Sequence, residues 1–214
     1  MNDAELKTHP DSSESSRHRP KALLILFAVC LGLVAGRCDT LTACKLDMNE
    51  FEILSAGYSK LFGVDDIETP ELFAWREQKD RPLLLIDVRR PQEQSVSHLP
   101  GAILARTDED LGALPAVREF RAQHAQNSRA RIVVYCAAGY RSGRSISNMS
   151  GDDDASGPAV INLRGGIIGY ANAGGPLVTP AGEATRKVHG YNEKWSSYLK
   201  APAEAVLEPP IPDA

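Results

Sequence analysis

The chain has 214 residues, 43% hydrophobic and 24% charged, with 14 Pro and 17 Gly, the composition of one globular domain with extensions rather than of two full domains. Lys and Arg number 24 against 28 Asp and Glu, so the net charge of −4 excludes a general polyanion-binding surface, and no nucleic-acid partner is expected. The four cysteines (Cys30, Cys38, Cys44, Cys136) are too few for a disulfide scaffold and form no CxxC pair, so a tetrahedral zinc site has little support. No metal or organic cofactor is implied elsewhere in the sequence.

Residues 1–21 are polar and end in Arg17, Arg19 and Lys21, directly before the apolar run Ala22 to Gly36. As a helix that run would reach about 22 Å, short of the roughly 30 Å of a bilayer core. Residues 1–36 are therefore read as a signal peptide or membrane anchor, and the chain as exported (periplasmic, secreted or lumenal) or membrane-anchored. Cutting near Arg37 removes four basic and four acidic residues, so the net charge is unchanged. Cys38 and Cys44 would then sit close together in an oxidising compartment, paired or unpaired, and Cys136 would be left single.

Apolar residues from Met48 to Phe62 recur at helical spacing behind Asp47, a suitable N-cap, and predict a leading helix within a 37–66 extension. Thr69-Pro70-Glu71 predicts a second helix capped by Thr69 and ending near Asp80. Unbroken apolar runs within Pro82–Val88 and Arg131–Tyr135 read as strands buried on both faces, with a crossover helix over 112–127 between them, so the fold class is α/β with a mainly parallel sheet. A third short strand, at the edge of the sheet, is expected at 158–163. The acidic loop Asp152 to Asp154 before it is read as solvated rather than metal-binding. Tyr191, Trp195 and Tyr198 predict a C-terminal helix over 188–199, packing on the sheet, before an extended or disordered Pro-rich tail.

The chemistry concentrates on Cys136, at the carboxyl end of the strand Arg131–Tyr135, where α/β sheets place ligand sites. If the loop Ala137 to Arg141 curls into a helix start, its amides and the helix dipole face the sulfur and favour the thiolate. Gly139 allows backbone angles denied to other residues, Arg141 offers a fork of donors to an anion, and Ser142 is a candidate N-cap. Tyr140 either lines the pocket mouth or packs on the neighbouring turn. On these residues alone a reactive cysteine and a buried structural one both remain open.

Three blocks, Leu83 to Ile103 (LLLIDVRRPQEQSVSHLPGAI), Ile132 to Ser142 (IVVYCAAGYRS) and Asn162 to Val178 (NLRGGIIGYANAGGPLV), resemble in order the signature blocks of the rhodanese-like (sulfurtransferase) domain family. The resemblance implies a three-layer fold over 67–178, with 179–214 forming the C-terminal helix and tail. It implies that Asp87 and Arg89 brace the sheet end, that Glu93 belongs to the first block, and that His98 to Gly101 form a structural turn. It also implies that Cys136 carries sulfane sulfur as a persulfide, cradled by Ala137, Ala138, Gly139, Tyr140, Arg141 and Ser142. Four residues between Cys136 and Arg141 make a sulfur-sized ring, against five in cysteine phosphatases. Tyr170 stands where relatives commonly have Trp.

The expected function is sulfur transfer from a persulfide or thiosulfate donor to a thiol or cyanide acceptor, with a noncatalytic partner-binding module as the alternative. Ala137 and Ala138 supply no charge beside the cysteine, so a less charged donor than thiosulfate is favoured, and Arg141, with Arg144, is the local cation. His189 is assigned no catalytic role.

Overall fold

The computed structural model describes residues 49–106, 108–150 and 157–208. The candidate signal or anchor, Asp47, Cys30, Cys38, Cys44 and the loop Asp152 to Asp154 lie outside the described residues. Among the described residues no helix is long and apolar enough to cross a membrane.

The elements run α1 (Glu50–Phe62), β1 (Asp66–Ile67), α2 (Thr69–Glu77), β2 (Leu83–Asp87), α3 (Pro91–Gln94), β3 (Ile103–Leu104), a 3₁₀ turn (Leu111–Ala113) and α4 (Pro115–His124). Then follow β4 (Arg131–Tyr135), α5 (Tyr140–Ser147), β5 (Ala159–Leu163), α6 (Gly166–Asn172), β6 (Leu177–Val178), β7 (Ala184–Thr185), β8 (Lys187–His189), α7 (Glu193–Ser196) and β9 (Glu204–Val206). The central sheet has the order β1-β5-β4-β2-β3 and every pairing in it is parallel. β2 and β4 therefore occupy the interior, as their apolar runs require.

Side chains alternate across this sheet. Leu85, Val133, Tyr135, Ile161 and Leu163 face a core shared with α2 and α6. Ile86, Ile132, Val134 and Cys136 face a second core shared with α4 and α5. Burying a side chain of this kind contributes about 1.5–3 kcal/mol. That offsets about 1–2 kcal/mol of backbone entropy per residue, which is why a five-residue strand suffices here.

Several expected boundaries move. α1 is capped by Asn49, whose side chain accepts the Glu52 N–H at 3.0 Å while Glu52 reaches back to Asn49. Its buried face is Phe51, Ser55 and Ser59, and Ile53 and Leu61 are exposed. Thr69 is the buried first residue of α2 rather than its cap, and α2 stops at Glu77. β5 is not an edge strand, because the two-residue β1 covers its free side. The helix expected over 188–199 is one turn, α7, for two reasons. Tyr191 takes φ +78°, which a helix excludes, and Asn192 starts a new cap by accepting the Trp195 N–H at 3.0 Å. Within the described part of the tail, β9 pairs in parallel with β8.

Candidate active site

Cys136 directly follows β4 and is 2% exposed. Gly139, at φ +102°, turns the chain so that its N–H donates to Cys136 Sγ at 3.2 Å, and its carbonyl accepts from Asn162 Nδ2 at 3.0 Å. Gly139, with no side chain to offer, is the N-cap of α5. Ser142 does not cap it: buried in the first turn, Ser142 Oγ donates to Asn162 Oδ1 at 2.7 Å. Asn162 also donates to Ser59 Oγ of α1, so this β5 side chain ties α1, the loop and α5 together. The Ser142 hydroxyl therefore braces the loop.

From the other side, the N–H groups of Ile167 and Ile168 donate to the carbonyls of Cys136 and Ala137 at 2.9 and 3.1 Å. Because trans peptides point N–H opposite to C=O, this turns the amides of Ala137 and Ala138 away from α6. The approach is close: a Cβ on Gly166 would lie 2.3 Å from the Cys136 carbonyl oxygen. The first turn of α5 adds amides of Tyr140, Arg141 and Ser142 that have no helical acceptor. Of these loop amides, that of Gly139 is directed at the sulfur, the arrangement by which backbone N–H groups favour negative charge.

Arg141 faces the site but is not a free cation. Its Nη1 and Nη2 donate to the two carboxylate oxygens of Glu93 at 2.6 and 2.7 Å. Burial works against both charges. The pair nevertheless holds Arg141 above its ordinary value, with Cys136 adding to the effect, and holds Glu93 below its own. Glu93 also accepts the Arg90 N–H at 3.0 Å, which fixes the start of α3. Tyr191 covers the guanidinium of Arg141, with 4.7 Å from carbon to ring centroid, and Arg90 approaches the same ring at 5.4 Å. Buried His189 accepts the Tyr191 N–H on Nδ1 at 3.1 Å, so its visible role is to hold that turn.

Asp87 and Arg89 form a fully buried pair beside the loop rather than in it. Arg89 Nη2 also donates to the Ser97 carbonyl, and the Tyr135 hydroxyl accepts the Leu99 N–H at 3.0 Å. The turn at His98 is therefore strapped to the residue preceding Cys136. His98 bridges Val178 through its backbone, its Nδ1 has no hydrogen-bond partner, and burial lowers its pKa. Tyr170 is fully buried and meets Phe73 edge-on, its hydroxyl unpartnered.

Cys136, Ala137, Ala138 and Arg141 form one side of a cavity of about 180 Å³. Four rings, Tyr58, Tyr140, Tyr191 and Trp195, form the other. Tyr140 lines the cavity, and its ring packs edge-on against Phe62 of α1 rather than on the neighbouring turn. Sequence reasoning missed Glu93 as the partner of Arg141, Asn162 as the loop brace, and Tyr58, Tyr191 and Trp195 as cavity walls. Arg144 lines a different cleft.

Residues 70–173 match the rhodanese-like domain, and this stretch of the chain belongs to that family. A protein named sulfurtransferase from Allochromatium vinosum is 29% identical over 122 residues, covering 56% of this chain and 99% of that one. Among solved structures, a thiosulfate sulfurtransferase from Pseudomonas aeruginosa is similar at TM-score 0.43 and 23% identity, over 69% of this chain and 26% of that one. A protein of unknown function from Rhodopseudomonas palustris, titled a possible tyrosine phosphatase, is similar at TM-score 0.38 and 20% identity, over 66% of this chain and 99% of that one. The match to the family and to a named sulfurtransferase supports a function of the sulfurtransferase type.

Proposed function

We propose that the protein is a sulfur carrier in which Cys136 takes a sulfane sulfur and passes it on. The observation that carries this reading is the Gly139 N–H directed at Cys136 Sγ, at the side of a cavity large enough for a small donor. The Sγ thiolate attacks the outer sulfur of a donor R–S–SH. The new Sγ–S bond forms as the donor S–S bond breaks, and its electron pair leaves on the carrier thiolate, which takes the proton. An acceptor thiolate or cyanide then attacks the outer sulfur, and the Sγ–S pair returns to Cys136. Neither step needs an external oxidant or a cofactor. Amides of the loop would stabilise the terminal persulfide charge, since hydrogen bonds to an ion are about twice as strong as neutral ones. Arg141, paired with Glu93, would shape the loop more than it attracts a dianion.

The test is the intact mass of the reduced full chain after exposure to glutathione persulfide and, separately, thiosulfate. Gain of one sulfur atom by the wild type, reversed by cyanide and absent in Cys136→Ser, is the expected result. No gain from either donor in folded protein with a titratable thiol overturns the carrier and leaves a partner-binding module. Export or membrane anchoring through residues 1–36 belongs to the same proposal, and the mass of the mature N-terminus in the native host tests it.

A further inference from the structure

Three of the four rings around the cavity come from outside the family stretch 70–173: Tyr58 from α1, Tyr191 from the turn after β8, and Trp195 from α7. They are packed as a set. Tyr58 stands edge-on to Tyr140 at 5.3 Å and to Trp195 at 6.3 Å, and Tyr191 lies on the guanidinium of Arg141. Such edge-to-face contacts hold rings in place. What an incoming donor meets is therefore unusual for a site built around a thiol and an arginine. The one cation among the residues lining the cavity has both Nη groups bound to Glu93 and a ring over its face, and Ala137 and Ala138 contribute none. A dianion would shed water here without gaining an unpaired positive charge, whereas an apolar group would gain burial against the rings.

Resting on the sulfur-carrier reading above, we propose that Tyr58, Tyr191 and Trp195 make the site selective for a small organic donor, singly charged, whose sulfane sulfur is attached to an aromatic or alkyl carrier, over an inorganic dianion. The size agrees. An apolar cavity of about 150 Å³ takes up benzene, and this one is about 180 Å³.

The test uses two donors that share a reaction and differ in carrier. Thiosulfate and benzenethiosulfonate each yield their outer sulfur by cleavage of an S–S bond, leaving sulfite or benzenesulfinate with the bonding pair and no change in total charge. With cyanide as acceptor, the wild type should show a kcat/KM for benzenethiosulfonate about tenfold or more above that for thiosulfate. Because the donors also differ in intrinsic reactivity, the deciding quantity is how that ratio moves on substitution. Tyr191→Asn removes the ring with a residue that tolerates positive φ. It should lower the ratio by about three- to tenfold through KM, the range expected for one aromatic contact. Trp195→Ala should act in the same direction, and Tyr191→Phe should retain the wild-type ratio. A wild-type ratio below one, or a ratio unmoved in both Tyr191→Asn and Trp195→Ala, overturns the aromatic selectivity while the carrier stands. Failure of Cys136 to gain sulfur from these donors and from glutathione persulfide overturns the carrier itself.

Discussion

Two arginine–carboxylate pairs flank the cysteine loop, and they do different things. Asp87 and Arg89 lie two residues apart, both side chains fully buried, with the carboxylate accepting from Arg89 N, Nε and Nη2. Glu93 and Arg141 lie 48 residues apart and join α3 to the first turn of α5 at the cavity wall. In both pairs burial opposes the arginine charge, and in both the carboxylate overrides it. The local pair braces a turn. The long-range pair occupies both Nη groups of Arg141 at the cavity wall, so on the reading proposed above equal chemistry serves fold in one place and specificity in the other.

The largest effect expected from this contrast is on stability. Arg89→Met strands the Asp87 carboxylate without its partner and should cost about 3–5 kcal/mol, the penalty for an uncompensated buried charge. Urea unfolding measures it, and the double variant Asp87→Asn with Arg89→Met should recover part of the loss. A cost below about 1 kcal/mol, the range of an exposed pair, would show that the pair is not the brace described.

Glu93→Gln should behave differently. It keeps the shape of the side chain but removes the charge that occupies Arg141, leaving stability lower by about 1–2 kcal/mol. Use of thiosulfate should improve, with KM falling about tenfold, because a charge-assisted contact of about 1.5–3 kcal/mol becomes available to the anion. Steady-state kinetics with thiosulfate and cyanide would show it. A KM that stays or rises would mean that Arg141 serves the loop geometry alone, and the distinction between the two pairs would collapse.

The same contrast between local and long-range contacts explains what could be read from the chain. β2 and β4 announce themselves through Leu83 to Ile86 and Ile132 to Val134, because a strand covered on both faces must be apolar throughout. The turn from Cys136 to Gly139 is legible because its residues are consecutive, whereas the Asn162 side chain and the α6 amides that hold it come from further along the chain. From the sequence β5 reads as an edge, since a two-residue strand such as β1 has no pattern of its own. Tyr191, Trp195 and Tyr198 have helical spacing, yet only Trp195 lies in the single turn of α7: their rings pack on Phe51, Tyr58 and Arg141, and that packing, not local periodicity, sets their positions. Nothing in the segment around Glu93 names Arg141 as its partner, and nothing in α1 says that Tyr58 faces a thiol.

The smallest effect is the pH dependence of the long-range pair. Glu93 is held below its ordinary value of 4.5: burial acts against it, but the hydrogen bonds and charge of Arg141 prevail. A carboxylate depressed in the folded state contributes stability that is fully present above its unfolded value and is lost as pH falls through the folded one. The stability difference between wild type and Glu93→Gln should therefore be constant from neutral pH down to about pH 5. It should then shrink on further acidification as the wild-type carboxylate takes up its proton and comes to resemble the amide. Paired urea titrations at stepped pH resolve this without any substrate. A difference that stays flat through the acid range would mean that the Glu93 charge contributes nothing to folding, and that the pair exists only to neutralise Arg141 at the cavity.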